Sequence, residues 1–190
     1  ESLGEDHRNR FINSGVPPKD WKWRPSTPCT VVSLFEQGCI EKGLSYFEGG
    51  PVYHVISPHI GGLPDVVNSL YAIQKLVYDE KKVSLAELLA ILDRDWEDNE
   101  PLRRYAMTKY DYFGNDNDEV DAIAQRIVED FANACDSISD RYGYKCPAGV
   151  STFGRQLEWS PHRKATPNGR KAHEILSGNF SPAPGTDKEG

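Results

Sequence analysis

Apolar residues recur at helical spacing in four stretches of the chain, each with a recognisable start or stop. In STPCTVVSLFEQGCIEKG, Thr27 as N-cap and Pro28 at the first helical position open a helix that Gly43 closes. Val31, Leu34, Phe35 and Ile40 share one face of it, with Cys39 at the edge of that stripe. In LPDVVNSLYAIQKLVYDE the helical set is Val66, Val67, Leu70, Ile73, Leu76 and Val77, with Pro64 near the start. SLAELLAIL opens with Ser84 and Glu87 in capping-box register. DEVDAIAQRIVEDFANACDSI carries the pattern through Val120, Ile123, Ala124, Ile127, Val128, Phe131 and Cys135 and predicts the longest helix.

Three stretches read differently. The β-rich run 52–57 lies between glycine pairs, which predicts a short, largely buried strand. AGVSTFGRQLEW is strand-like, and ATPNGRKA contains a Pro-Asn-Gly turn. Helix, strand, helices, then strand and turn is the order of an α/β barrel or a layered α/β protein, with no internal repeat.

A chain of 190 residues can hold one domain with a real core, or be a piece of a larger one. Its net charge of −7, with no basic cluster denser than His162-Arg163-Lys164, opposes nucleic-acid binding. No apolar run approaches membrane-spanning length and the N-terminal ESLGEDHRNR is charged, so the expectation is a cytoplasmic protein without membrane partners. Four scattered cysteines, Cys29, Cys39, Cys135 and Cys146, read as reduced thiols. A start without methionine and a turn-rich SPAPGTDKEG end predict a segment cut at both ends.

Isolated motifs carry little chemistry. NDNDEVD alternates carboxylates and amides, but Val120 stands where an EF-hand loop needs glycine, so helix capping is the better reading. Gly61-Gly62 before a helix lacks any phosphate-loop signature. The five histidines have no metal-ligand spacing, and His54 and His59 flank a strand end. Trp21, Trp23, Tyr110, Tyr112 and Phe113 sit in acidic surroundings and read as core or interface packing. Cys39 and Glu41 pose the sharpest question, since Cys-x-Glu can mark a thiyl radical beside a proton-transferring carboxylate. Side chains two apart on a helix point about 200 degrees away from each other, so such a pair needs an extended loop.

Taken together, several stretches resemble the glycyl radical enzymes of the pyruvate formate-lyase superfamily. GCIEKGLSYFEGGPVYHVISP resembles the family's Cys-Ile-x-x-Gly helix and Gly-Gly-x-x-Tyr strand. VVNSLYAIQKLVYDEKKVSLAEL is similar to its Ser-Leu-x-Ala-Ile-x-Lys-Leu-Val helix, and YFGNDNDEVDAIA to its Tyr-Gly-Asn-Asp segment. ATPNGRKAHEILSGNFSPAPGTDKEG looks like its Ala-Thr-Pro-Asp-Gly-Arg-Lys-Ala turn and Ser-Pro…Gly-x-Asp-x-x-Gly run, with Asn168 in place of the usual aspartate. The likeness covers residues 26–190.

The resemblance implies one partial domain over residues 1–190, a central-to-late portion of a ten-stranded α/β barrel with peripheral helices. In that register Cys39 matches a non-catalytic helix cysteine; the catalytic Cys-x-Glu loop lies upstream and the Arg-Val-x-Gly-Tyr radical loop downstream. No residue here is then catalytic, none binds metal, and no cofactor sits on this chain. The parent would carry a glycyl radical installed by an activating enzyme that uses S-adenosylmethionine and an iron-sulfur cluster. It would be a homo-oligomer that cleaves or adds C–C, C–O, C–N or C–S bonds on a small organic substrate. Two strands would line the pocket: His54, Ile56 and Ser57 on one, Ser151, Thr152 and Phe153 on the other. The competing readings are a non-catalytic α/β scaffold module and a shortened enzyme using Cys39 and Glu41.

Overall fold

The computed structural model describes residues 30–46, 49–139, 145–150 and 154–188. The chain divides into two compact units, one formed by Glu1–Pro58 and Ala132–Ala148, the other by His59–Phe131 and Gly149–Gly190.

In the first unit, α1 (Thr30–Phe35) and α2 (Cys39–Lys42) occupy the span where periodicity predicts one helix. Gly38 makes the break. Its φ of 98° is left-handed, and a Cβ added there would lie 2.8 Å from the Gly50 carbonyl oxygen. Glu41 folds back to accept the Gly38 N–H at 3.1 Å, and the Val52 N–H donates to the Gln37 carbonyl at 2.8 Å. The predicted apolar face is not buried within this unit: Phe35 is 85% exposed and Ile40 69%, while Cys39 is covered. The predicted strand 52–57 reduces to one parallel bridge, Val55 with Lys145. The Lys145 N–H donates to His54 O at 2.7 Å and the Ile56 N–H to Lys145 O at 2.9 Å. Pro51 and Pro58 bound this run, and neither has an N–H to extend a ladder.

The second unit contains the only sheet among the described residues, β1 (His59–Ile60) paired in parallel with β2 (Gly149–Val150). Parallel neighbours need a long crossover, and the helices between them supply it. The first, α3 (Leu63–Ile73), runs on into a π-helical stretch, Gln74–Asp79. Its buried stripe is Leu63, Val67, Tyr71 and Leu76, whereas Val66 and Leu70, expected in the core, are about half exposed at 49% and 44%. Tyr71 takes the i+4 position after Val67 that periodicity of aliphatic residues alone passes over.

Next come α4 (Leu85–Asp93), α5 (Glu100–Lys109) and α6 (Asp118–Ile138). The capping box at α4 forms as expected: the Glu87 N–H donates to Ser84 Oγ at 3.2 Å, and Glu87 accepts the Ser84 N–H at 2.8 Å. Helix α5 escaped the reading because Ala106 is its one buried residue, leaving little apolar periodicity to detect. Helix α6 has the predicted limits, and Asn117 caps it, its Oδ1 accepting the Glu119 N–H at 3.1 Å. Trp96, Tyr112, Leu76, Leu88, Val67 and Val120 are the large side chains fully enclosed in the resulting core.

The strand-like expectation holds at Gly149–Val150 and is corrected from Gln156 onward. Only Gly149–Val150 are paired, residues 151–153 lie outside the described residues, and α7 (Gln156–Trp159) is helical, leading into a 3-10 turn, Ser160–His162. The Pro-Asn-Gly turn forms: the Gly169 N–H donates to Thr166 O at 3.0 Å, Gly169 has φ 98°, and Asn168 Oδ1 accepts the Thr166 hydroxyl at 2.6 Å. An aspartate could accept the same bond, so Asn168 preserves the turn.

Ser84→Ala should lower stability by about 1 kcal/mol through loss of the cap, read as an earlier urea midpoint at unchanged slope. Gly50→Ala should cost about 1–3 kcal/mol, because the new Cβ would lie 2.3 Å from Leu44 O and 2.6 Å from Cys39 Sγ. Faster modification of Cys39 by a thiol reagent is the expected signature.

Candidate functional site

His54 and Ile56 are half-buried while Val55 and Ser57 are exposed, the alternation expected of an extended run. Ser57 donates its hydroxyl to Pro147 O at 2.9 Å. Burial, with Lys42 nearby, holds the His54 imidazole below its usual value, so at neutral pH it is an uncharged hydrogen-bonding group. Ser151, Thr152 and Phe153 fall outside the described residues.

Cys39 and Glu41 do not form a catalytic pair in this structure. Cys39 opens a four-residue helix and is 3% exposed. Burial, with Glu36 adding to it, pushes its thiol pKa up. The Glu41 carboxylate is engaged by the Gly38 N–H. An ordinary capping role accounts for the glutamate and a packing role for the thiol.

Sequence reasoning passed over a buried polar seam in the second unit. Asp65, in the first turn of α3, is 5% exposed, and its Oδ2 accepts both the Ser177 N–H at 2.7 Å and the Ser177 hydroxyl at 2.5 Å. Arg170, 8% exposed, donates to the Glu174 carbonyl at 2.7 Å, to Lys171 O at 3.0 Å and to Lys164 O. Asn68, fully enclosed, accepts the Phe113 N–H at 3.0 Å. Two cavities, of about 300 and 520 Å³, both have Asp65 and Arg170 in their walls. No thiol lines either one. The hydrogen bonds this seam makes go to the chain itself and position the 163–177 segment, while Asp65 Oδ1, Asn68 Nδ2 and Arg170 Nε are buried without a partner. An aspartate behind Pro64 looks in sequence like a helix-terminal acid; nothing local announces Ser177 as its partner. Among the described residues no group of three or more His, Cys, Asp or Glu is placed to hold a metal ion, and no helix is long and apolar enough to cross a membrane.

Comparison with known proteins adds lineage to this geometry. The chain is 33% identical over 169 residues to the probable dehydratase YbiW of Escherichia coli K12, covering 84% of this chain and 21% of that protein. The crystal structure of the hydroxyproline dehydratase of Clostridioides difficile with trans-4-hydroxy-L-proline superposes with a TM-score of 0.78 at 30% identity, covering 86% of this chain and 21% of that one. A glycyl radical enzyme from Archaeoglobus fulgidus superposes with a TM-score of 0.77 at 26% identity, over 86% and 21% of the respective chains. The chain thus spans about a fifth of the length of the proteins it matches, and it corresponds to part of an α/β fold. The family described as Pyruvate formate lyase-like matches residues 23–159, and the chain belongs to that family.

Proposed function

We propose that this chain is the central-to-late part of a glycyl radical enzyme that dehydrates, decarboxylates or otherwise cleaves a small organic substrate, contributing barrel wall and no radical-bearing residue. The observation that carries the reading is the state of Cys39: buried, helical and with Glu41 occupied, in a chain whose relatives include a glycyl radical enzyme and a dehydratase. The parallel β1–β2 pair, with its helical crossover, agrees with a place in a ten-stranded α/β barrel.

In this reading the chain's own residues bind and orient. His54, uncharged, and Ile56 share one face of the 52–57 run and line the substrate pocket, and Ser57, a further candidate, follows on the opposite face. Ser151, Thr152 and Phe153 directly follow β2, and residues at the carboxyl ends of parallel strands are where α/β folds place their ligands. The hydrogen-abstracting equivalent comes from a glycyl radical, installed by an S-adenosylmethionine and iron-sulfur activating enzyme, on a part of a homo-oligomeric parent outside this chain.

Treated anaerobically with an activating enzyme and S-adenosylmethionine, this polypeptide should give no glycyl radical doublet by electron paramagnetic resonance; a doublet arising on it would overturn the proposal. The genomic reading frame supplies the second check, with a Cys-x-Glu codon set expected upstream and an Arg-Val-x-Gly-Tyr set downstream.

A further inference from the structure

Three tyrosines of the second unit stand in ring-to-ring series. Tyr105 and Tyr110 have centroids 6.0 Å apart, Tyr110 and Tyr71 also 6.0 Å, both edge to face. Their hydroxyls all meet carboxylates. Glu80 accepts Tyr105 on Oε2 at 2.8 Å and Tyr110 on Oε1 at 3.0 Å, so one carboxylate bridges two phenols. Glu119 accepts Tyr71 at 3.3 Å. Tyr112 also packs on the cluster, 6.1 Å from Tyr110, but its hydroxyl goes to the Ala106 carbonyl. Edge-to-face packing explains the ring geometry; it does not call for a base at each of three hydroxyls when a carbonyl suffices for the fourth.

We propose that Tyr105, Tyr110 and Tyr71 form a proton-coupled relay that passes a one-electron oxidising equivalent between the edge of the second unit and its core. The oxidant is a thiyl radical, which the electron converts to a thiolate. It takes an electron from Tyr105, whose proton moves to Glu80 Oε2, leaving a neutral tyrosyl radical, a neutral carboxylic acid and the reduced oxidant. Tyr110 then gives its electron to the Tyr105 radical and its proton to Glu80 Oε1, while Oε2 returns a proton to Tyr105. In the last step Tyr71 gives its electron to Tyr110 and its proton to Glu119, and Glu80 returns its proton to Tyr110. Electrons and protons balance at each step. Lys82, 4.2 Å from the Tyr105 ring centre, and Lys75, 5.2 Å from that of Tyr71, disfavour positive charge on the rings, so each electron leaves together with a proton. Lys82 also stands 3.7 Å from Glu80, and Lys75 2.7 Å from Glu119 and 3.1 Å from Asp79. Although burial pushes upward, the two phenols hold the Glu80 carboxyl below the usual range, keeping it ionised as the accepting base. Tyr112, bonded to a carbonyl that cannot take a proton, lies off the path.

The relay goes beyond the proposed enzyme activity, and its test does not depend on that activity. The chain carrying Tyr71→3-aminotyrosine, a more easily oxidised trap, is exposed to photogenerated tris(bipyridine)ruthenium(III) and frozen for electron paramagnetic resonance. An aminotyrosyl radical is expected, reduced about tenfold or more by Tyr110→Phe and by Glu80→Gln and unchanged by Tyr112→Phe. A yield unaltered by Tyr110→Phe, or no aminotyrosyl signal at all, overturns the relay. Should the trap variant not fold, the same oxidant applied to the unsubstituted chain decides: Glu80→Gln must lower the tyrosyl yield per flash while Tyr112→Phe does not, and equal effects overturn it.

Discussion

A buried carboxylate governs the C-terminal part of this chain. Asp65 receives both hydrogen-bonding groups of a serine 112 residues further on, and beyond His162 the described chain has no helix or strand of its own. Such a segment cannot satisfy its backbone through ladders, so side chains of the helical part do it instead. Arg103 donates to Gly169 O at 2.8 Å, Asp95 accepts the Ala172 N–H at 2.6 Å, and Asn115 both donates to Thr186 O and accepts the Lys188 N–H. Arg170, inside the segment, closes it on itself. The loop-rich region owes its shape to polar groups far away in sequence, Asp65 and Arg103 on helices and Asp95 and Asn115 in the turns between helices.

The same logic separates scaffold from chemistry. Cys39 is the residue that invites a catalytic reading, and its surroundings withdraw it: the thiol is 3% exposed and packs so close to Gly50 that a Cβ there would lie 2.6 Å from the sulfur. Its partner Glu41 is used to cap the helix it sits on. What the second unit offers is a parallel strand pair, a buried polar seam and a tyrosine cluster with carboxylate partners. The chain belongs to a family whose solved structures are about four times as long as it is.

Much of the fold was legible from local signals. The Ser84–Glu87 box, the limits of α6 and the Pro-Asn-Gly turn are set by residues within a few positions of one another, and all three formed. The failures have a common cause. Val31, Leu34, Phe35 and Ile40 make a proper apolar stripe, but a stripe reports only that a surface wants cover; among the described residues of the first unit it stays exposed, and Gly38 splits the helix. Helix α5 buries too little for periodicity to register it. The strand run lost its ladder to prolines at both ends and to a partner, Lys145, that lies some ninety positions away in sequence.

By itself the sequence determined the Ser84 start of α4, the limits of α6, the Pro-Asn-Gly turn and the family, because caps, turn residues and motif order are short-range properties. Only the tertiary structure decided that Asp65 and Ser177 are partners, that Glu80 bridges two tyrosines and that Cys39 is packed rather than presented. Each of those depends on which distant groups share a desolvated space, and a buried polar atom takes whatever complementary group the fold brings to it.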